Sequence, residues 1–250
     1  MGAIVKVSDL HKSYGSIHAV RGVSFEIAEG TIFGLLGHNG AGKTTTLEVM
    51  EGILAADRGE VEVAGVDVVR HRTGASRMIG VQPQSSDYFE NLHLHEILNL
   101  FGRIYGLRVD TAKLLARVGL EDRAKSYYSK MSGGQQQRFS IAVGLVNDPQ
   151  VLFLDEPSTG LDPVARRELW GLIREINRDG TTIVLTTHYM EEAQVLCDRV
   201  GIMADGELLV NDSPTTLIER FLAEGNKPVQ QVQRATLEDV YIHLARRGLY

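Results

Sequence analysis

The sequence has little of what would build a disulfide framework, a membrane span or a basic binding surface. Its 250 residues include one cysteine, Cys197, so no internal disulfide can form, and this suits a reducing compartment. No apolar run approaches the roughly 18 residues that a membrane-spanning helix needs. The net charge of −6 argues against a nucleic-acid partner, because such partners need a basic face. Any role at a membrane is therefore expected to come through another chain.

The N-terminus also lacks targeting signals. The stretch MGAIVKVSDL has no basic-then-apolar pattern of a signal peptide. Gly2 resembles the start of a myristoylation motif, but Lys6 stands where that motif requires serine or threonine. The apolar content of 43% and charged content of 23% are ordinary for a soluble globular protein. A chain of this length can bury a large core.

Apolar periodicity in the first half predicts strands followed by helices. Apolar and polar residues alternate over 23–28 and 60–63, as in half-buried strands. The more continuous run TIFGLL (31–36) predicts a strand buried on both faces. Residues 94–119 show helical spacing instead.

The last third predicts a parallel sheet. VLFL (151–154) and TTIVLTT (181–187) are buried-strand patterns on either side of a helix from Pro163 to about Asn177. Asp162 is expected to cap that helix, because Pro163 suits its first turn. RVGIMADGELLV (199–210) predicts a hairpin that turns at Asp205-Gly206. After Pro228 we expect one more helix, whose apolar stripe is Leu237, Val240, Tyr241 and Leu244.

The sequence GHNGAGKT (37–44) carries the strongest chemical signal. It fits G-x-x-x-x-G-K-[ST] directly after a buried strand and before a helix, the context that this phosphate-binding motif requires. Glycines let successive backbone N–H groups form a concave anion site, to which the helix N-terminus adds partial positive charge. The alternative is an ordinary glycine-rich strand–helix turn. The expected phosphate-binding residues are Gly37, His38, Asn39, Gly40, Ala41, Gly42, Lys43, Thr44 and Thr45.

Three polar residues at strand ends are candidates for catalysis. Asp155 and Glu156 end the buried run VLFL, at the sheet edge where ligands of α/β proteins bind. Asp155 fits a magnesium-orienting carboxylate and Glu156 fits the group that polarises the attacking water. His188 ends the next strand and is expected to face the same γ-phosphate. A strand-ending acid pair or a lone histidine can also be purely structural, so the combination with the phosphate loop carries the prediction.

MSGGQQQR (131–138) looks like a linker but runs directly into a helical apolar pattern. It is therefore predicted to be a glycine turn that opens a helix, with Ser132 as the cap. Such a helix start can bind an anion. Because this second anion-binding element has no lysine of its own, it is predicted to be half of a site.

These motifs, taken in order with STGLD before Pro163, resemble the ATP-binding subunit of ABC transporters over nearly the whole chain. The resemblance implies an α/β fold of the P-loop NTPase type, with a mixed-sheet core, an antiparallel β subdomain and an inserted helical subdomain. It also implies ATP and Mg²⁺ as ligands. Two subunits, identical or different, would pack head to tail and sandwich two ATP molecules. The signature residues that reach the partner's ATP would be Ser132, Gly133, Gly134 and Gln135.

The same resemblance assigns further residues. Gln84 matches the glutamine that joins Thr44 and Asp155 around magnesium, with Gln82 as the alternative. Tyr14 matches the aromatic that stacks on adenine, although it could be an exposed strand residue. Asp162 matches the loop aspartate at the dimer interface, a role that is compatible with helix capping. Met131 and His38 depart mildly from the family pattern.

The resemblance further implies an ATP-binding domain over 1–224 and a C-terminal helical extension over 225–250. Within the domain, a core (1–86 and 150–212) would flank a helical subdomain at about 87–149. The phrase TLEDVYIHLARRGL resembles the tails of drug, antibiotic or polysaccharide exporters, which places the chain at the cytoplasmic face of a membrane, peripherally bound to integral membrane subunits. Alternatives are a regulatory ABC module that moves no solute, a soluble ABC ATPase, or a degenerate nucleotide-binding scaffold.

Two pairs of residues have simpler interpretations. His93 and His95 are two apart, so on a helix they would not share a face, and a metal site there is not expected. Arg166 and Arg167 are expected to form a solvated helix face.

Overall fold

The computed structural model describes residues 2–224, so the helix expected after Pro228 lies outside the described residues. The strands are Ala3–Tyr14 (β1), Ile17–Ala28 (β2), Ile32–Leu36 (β3), Arg58–Val63 (β4), Val66–Asp67 (β5), Ile79–Gln82 (β6), Val151–Asp155 (β7), Thr182–Thr187 (β8), Arg199–Ala204 (β9) and Glu207–Asp212 (β10). The α-helices are Lys43–Met50 (α1), Arg72–Ala75 (α2), Leu94–Ile104 (α3), Thr111–Arg117 (α4), Gly133–Gly144 (α5), Pro163–Arg178 (α6), Met190–Leu196 (α7) and Pro214–Ala223 (α8). No helix within residues 2–224 is long and apolar enough to cross a membrane.

The strands form two sheets. The first is antiparallel, in the order β2-β1-β4-β5. The second has the order β10-β9-β3-β8-β7-β6, in which the five strands from β9 to β6 run parallel and β10 pairs antiparallel at the edge. The predicted strand–helix–strand unit is β7-α6-β8, with β7 and β8 paired directly. The predicted fold class is confirmed: a mixed central sheet, an antiparallel β subdomain and an inserted set of helices.

The central sheet is buried on both faces because β3 and most of β7 are continuously apolar, and every residue of β8 is buried as well. In β3, Phe33 and Leu35 join the core that faces the antiparallel sheet, while Ile32 and Leu36 join the core beneath the helices. All five residues of β3 and of β7 are buried. The stacked rings of Phe25 and Phe33, 5.2 Å apart, connect the two sheets. This two-faced packing fixes the strand ends that carry the polar residues.

A helical segment lies between β6 and β7. It contains α3, α4 and α5 with two 3₁₀ turns at Glu121–Arg123 and Tyr128–Lys130. Helix α5 approaches β6 closely, since a Cβ on Gly80 would collide with the carbonyl oxygen of Gly144. Glycine at both positions lets the two backbones touch. The C-terminal end of α5 is thereby held against β6 of the central sheet.

The predicted cap of α6 and the predicted turn of the β9–β10 hairpin are confirmed. Asp162 caps α6 by accepting from the N–H groups of Val164 (2.9 Å) and Ala165 (3.0 Å), with proline in the first turn. The β9–β10 hairpin turns through positive φ angles at Asp205 (50°) and Gly206 (82°). Cys197 is a buried free thiol whose pKa is raised by burial.

Two simple interpretations need correction. His93 is the N-cap residue of α3 rather than a helical residue, and its ring stacks on that of His95 at 5.8 Å. Among the described residues, no group of three or more His, Cys, Asp or Glu side chains is placed to hold a metal ion. Arg166 and Arg167 do not merely face solvent: the Arg166 guanidinium lies 4.9 Å from the ring centroid of Tyr189, and Arg167 lies 3.8 Å from a carboxylate oxygen of Glu191.

Candidate nucleotide-binding site

The loop between β3 and α1 has a backbone shape that favours glycine. Gly40 and Gly42 have φ angles of 83° and 97°, values that residues with a Cβ rarely adopt. A Cβ on Gly42 would also collide with the carbonyl oxygen of Ala19. Gly42 is the N-cap of α1 and provides no side-chain cap, so the first N–H groups of the helix stay available to an anion.

Lys43 places a buried positive charge at the base of this loop. Its side chain is 4% exposed, and its Nζ donates to the carbonyl oxygens of Gly37 (2.9 Å) and His38 (3.2 Å). The same Nζ lies 3.8 Å from Glu156 Oε1. The loop therefore combines backbone donors with a cation, as binding of a polyanionic phosphate requires.

Asp155 and Glu156 stand at the carboxyl end of β7, as predicted. Thr186 lies opposite Asp155 on β8; its hydroxyl donates to Asp155 Oδ1 and accepts from the Glu156 N–H at 2.9 Å. Thr44 Oγ1 lies 3.4 Å from each carboxylate oxygen of Asp155. Burial raises the pKa of Asp155, and the charge of Glu156 adds to this, while the Thr186 hydrogen bond opposes it.

Glu156 is the centre of a converging set of polar groups. It is 8% exposed and has a φ of 47°, unusual for a residue with a side chain. Thr159 Oγ1 donates to its Oε2 at 3.1 Å, and Gln84 Nε2 lies 3.5 Å from the same oxygen. His188 Nδ1 is 3.1 Å from Oε2, within ion-pair range but without an aligned hydrogen bond to the described residues. The predicted residues Gln84, Glu156 and His188 are thus brought together.

Gln82, the alternative to Gln84, points elsewhere. Its side chain is fully buried in β6 and donates to the carbonyl oxygen of Pro83. Gln84 is exposed at the site. The geometry favours Gln84.

An open pocket of about 670 Å³ surrounds these groups. One wall was not predicted from the sequence: it consists of Ile17, His18, Ala19 and Arg21 of β2 and Asp205 of the β9–β10 turn. Arg21 N donates to the Gly206 carbonyl oxygen at 2.8 Å, which joins the two hairpins. No local motif marks these residues, although the tight approach of Gly42 to Ala19 depends on them.

Tyr14 stands at the rim rather than in the wall of this pocket. It pairs with Ile17 across the β1–β2 hairpin and is 48% exposed. Lys12 Nζ lies 5.7 Å from its ring centroid. The residue of this hairpin end that lines the pocket is Ile17, which is 67% exposed.

The predicted signature forms a second pocket. Ser132 caps α5 in a reciprocal arrangement: its hydroxyl accepts from Gln135 N at 3.4 Å, and Gln135 Oε1 accepts from Ser132 N at 3.1 Å. Ser132, Gly133, Gly134 and Gln135 line a pocket of about 350 Å³ together with the loop from Gly160 to Asp162. No residue of this signature pocket lines the first pocket. One chain therefore presents two separate pockets, each lined by the start of a helix.

The fold and the first pocket together define a P-loop NTPase. A glycine loop and lysine follow a central parallel strand, and a carboxylate pair ends β7 of the same sheet. The chain belongs to the ABC transporter family, whose model matches residues 20–159.

Named relatives and solved structures agree with this membership. The chain is 42% identical to the Nod factor export ATP-binding protein I of Paraburkholderia xenovorans, over 86% of this chain and 73% of the relative. It is 37% identical to the linearmycin resistance ATP-binding protein of Bacillus subtilis, over 87% and 72%. A solved ATP-binding subunit of an ABC transporter matches 97% of this chain and 99% of its own, with 27% identity and a TM-score of 0.78. A dimeric ATP-binding cassette bound to ADP and Pi matches 84% and 98%, with 27% identity and a TM-score of 0.76.

Proposed function

We propose that this chain is the ATP-binding and ATP-hydrolysing subunit of an ABC exporter and that it works as a dimer. The observation that carries the proposal is the separation of two complementary pockets on one chain. The first holds the phosphate loop, the lysine and the acids, whereas the signature pocket offers helix N–H groups and a serine hydroxyl. Head-to-tail pairing of two copies would close each first pocket with the partner's signature.

ATP would be held mainly by its phosphates. The N–H groups of the loop from Gly37 to Thr45 and the start of α1 would surround the β- and γ-phosphates, and the Lys43 ammonium would neutralise their charge. Tyr14, at the rim, would stack on adenine, with Ile17 forming the adjoining apolar wall.

The residues present fit a magnesium ion. Thr44 Oγ1 and both Asp155 oxygens lie within 3.4 Å of one another. The side-chain amide of Gln84, whose Nε2 lies 3.5 Å from Glu156 Oε2, would add its oxygen as a further ligand. Hard oxygen ligands of this kind suit Mg²⁺. When bound, Mg²⁺ would stabilise charge that develops on the phosphate oxygens. Thr186 would orient Asp155 through its hydroxyl.

The chain would catalyse hydrolysis by positioning the attacking water and by stabilising charge on the phosphate, without a covalent intermediate. Glu156 would accept a hydrogen bond from the attacking water and orient it toward the γ-phosphate. His188, 3.1 Å from Glu156, would donate a hydrogen bond to the γ-phosphate. Ser132 and the Gly133–Gln135 backbone of the second copy would bind the same phosphate, and Asp162 would lie at the interface. ATP and water would yield ADP and inorganic phosphate.

Membrane subunits would contact this chain next to Gln84, where closure of the dimer would move them. A groove of about 470 Å³ lies there, lined by Pro83 and Ser85, by Phe101 of α3 and by Tyr105, the C-cap residue of that helix. Phe89, nearby in sequence, is 60% exposed. An apolar groove of this kind suits a helix of an integral membrane subunit. The chain would then be bound peripherally at the cytoplasmic face of the membrane.

The names of two relatives support the exporter assignment, and the order of the elements supports a division of the chain into subdomains. The Nod factor export and linearmycin resistance proteins carry export- and resistance-related names, which supports export as the direction of transport. We also propose the division into a core (1–86 and 150–212), a helical subdomain (about 87–149) and an extension (225–250). The position of α3 to α5 between β6 and β7 supports it.

A mixing experiment tests the shared site. In a heterodimer of a Lys43→Ala chain and a Ser132→Arg chain, one composite pocket carries both lesions and the other carries none. The mixture should therefore hydrolyse ATP faster than either variant alone. The matched control mixes Lys43→Ala with Glu156→Gln, which damages both first pockets and should give no gain. Equal rates in the two mixtures would contradict a site shared between chains.

A further inference from the structure

A buried polar cluster lies outside both pockets and has no part in the mechanism above. It consists of Ser158, Trp170 and Glu192, which are 1%, 5% and 0% exposed. Trp170 Nε1 donates to Glu192 Oε1 at 2.9 Å and lies 3.1 Å from Ser158 Oγ. The Ser158 hydroxyl donates to the same Oε1. One carboxylate oxygen thus accepts from two donors on different segments.

The three residues come from segments that carry site residues. Ser158 stands two residues after Glu156 and four residues before Asp162. Trp170 belongs to α6, the helix that Asp162 caps. Glu192 belongs to α7, which begins two residues after His188. The cluster therefore joins the Glu156–Asp162 segment to the helix that follows His188.

Two further polar contacts between α6 and the His188 segment lie nearer to solvent. Arg166 covers the ring of Tyr189, and that ring lies 4.2 Å from the ring of His188. Arg167 faces Glu191 at 3.8 Å, but both side chains are at least 40% exposed, so water weakens this pair. The Glu192 cluster is buried, so water would not replace its hydrogen bonds if they were broken.

The second carboxylate oxygen of Glu192 lowers the stability of the fold, so the cluster is not explained by stability. Glu192 Oε2 is buried and has no hydrogen-bond partner among the described residues, and no cation pairs with this carboxyl there. An apolar side chain of similar size would fill the space without that cost. A role in positioning the site accounts for a carboxyl here better than packing does.

We propose that Glu192 is a positioning residue that fixes His188 relative to Glu156 through Ser158 and Trp170. This inference rests on the proposed function. With Oε1 in place, the Glu156–Asp162 segment, α6 and α7 move as one unit. A partner chain that contacts Asp162 would then shift His188 together with Glu156. Without the acceptor, α7 is free to drift from Glu156, while the phosphate loop on the far side of Glu156 is unaffected.

The test separates the rate of hydrolysis from ATP binding. Glu192→Met removes the acceptor while keeping most of the volume, and we expect kcat to fall by about 10- to 100-fold with the KM for ATP within about twofold of wild type. Glu192→Gln retains an acceptor oxygen and should restore most of kcat. Glu191→Met, the exposed neighbour on α7, is the matched control and should leave kcat unchanged.

Trp170→Phe provides a milder second variant that keeps the ring and removes one donor. It should lower kcat in the same direction, by about threefold to tenfold; if Glu192→Met does not fold, this variant decides. A purely structural cluster would lower the melting temperature and leave kcat of the folded protein unchanged, and that result overturns the inference. If the wild-type chain does not hydrolyse ATP, the proposed function fails and the inference fails with it. If the wild type hydrolyses ATP and the variants have the same kcat, the inference is rejected and the proposed function stands.

Discussion

The nucleotide-binding pocket and the signature pocket differ in the kind of charge that they hold. The first contains three buried ionisable side chains, Lys43, Asp155 and Glu156, within a network of short contacts. The signature pocket contains the start of α5, capped by Ser132. Its ionisable side chains are the exposed Asp162 and Glu168 and the half-buried Arg138, which pairs with Glu168 at 2.6 Å. One pocket is a cluster of buried charges, and the other is a set of backbone and hydroxyl donors edged by surface charges.

This difference supports the proposal that the chain works with a second copy. Buried, preorganised charges stabilise a reaction only where water is excluded, yet the first pocket is open to solvent on one side. The signature surface has the donors that would complete it but no buried acid pair and no lysine like those of the first pocket. Each pocket supplies what the other does not have, which is the expected condition for an interface between two identical surfaces related by twofold symmetry.

The largest expected effect comes from removing the cation of the first pocket. Lys43→Ala should weaken ATP binding by about 10- to 100-fold, because a charge-assisted hydrogen bond contributes about 1.5–3 kcal/mol. ATP binding to the isolated chain is measured by calorimetry.

Two controls sharpen this contrast between the pockets. Lys130→Ala changes an exposed lysine two residues before Ser132 and should leave ATP affinity unaltered. Ser132→Arg should also leave ATP affinity of the monomer unaltered, because the signature pocket would act on the partner's nucleotide. If Ser132→Arg weakened binding as much as Lys43→Ala, the division between the pockets would be wrong.

A smaller effect is expected on the pH dependence of stability, through a buried carboxyl near Asp155 of the first pocket. Glu51, the C-cap of α1, is buried, and burial first, then the charges of Asp155 and Glu48, raises its pKa from 4.5 to about 8. Below pH 4.5 the carboxyl is neutral in both the folded and unfolded states. Between pH 4.5 and 8 unfolding releases its proton, so stability falls as pH rises. From pH 6 to 8 the loss from this group is about 2 kcal/mol.

Glu51→Gln should remove this part of the pH dependence, so that the variant loses less stability than wild type between pH 6 and 8. Urea unfolding at both pH values measures it. Glu48→Gln, one turn earlier on α1 and less buried, is the matched control and should change the slope less. Identical slopes in wild type and Glu51→Gln would show that the carboxyl is not held neutral by the fold.

Much of the site was predictable because its parts are local. The phosphate loop is one continuous stretch between an apolar strand and a helix, and Gly42 and Lys43 occupy the places that this pattern requires. Asp155 ends the run VLFLD and His188 follows TIVLTT, and the consecutive apolar residues within each run identify buried central strands. Ser132 was predicted as a cap because the apolar helical pattern begins directly after it.

The remainder depends on contacts between distant parts of the chain. The wall formed by His18, Ala19 and Asp205 arises only when two hairpins meet at Gly42. Thr186 orients Asp155 because strand register places them side by side, and register is not visible in either segment alone. Glu192 is fully buried although its neighbours in sequence suggest an exposed acidic turn. No local pattern predicts a buried carboxyl, since its burial depends on Trp170 and Ser158.

The central claim, that two chains complete each other's ATP site, is tested most directly by the oligomeric state of Glu156→Gln. This variant keeps the phosphate loop and the signature but lacks the carboxylate that orients water. We measure its mass by sedimentation with and without ATP and magnesium. The account predicts a monomer without nucleotide and a dimer with ATP, which Ser132→Arg in the same chain abolishes. A chain that binds ATP and remains a monomer would contradict it.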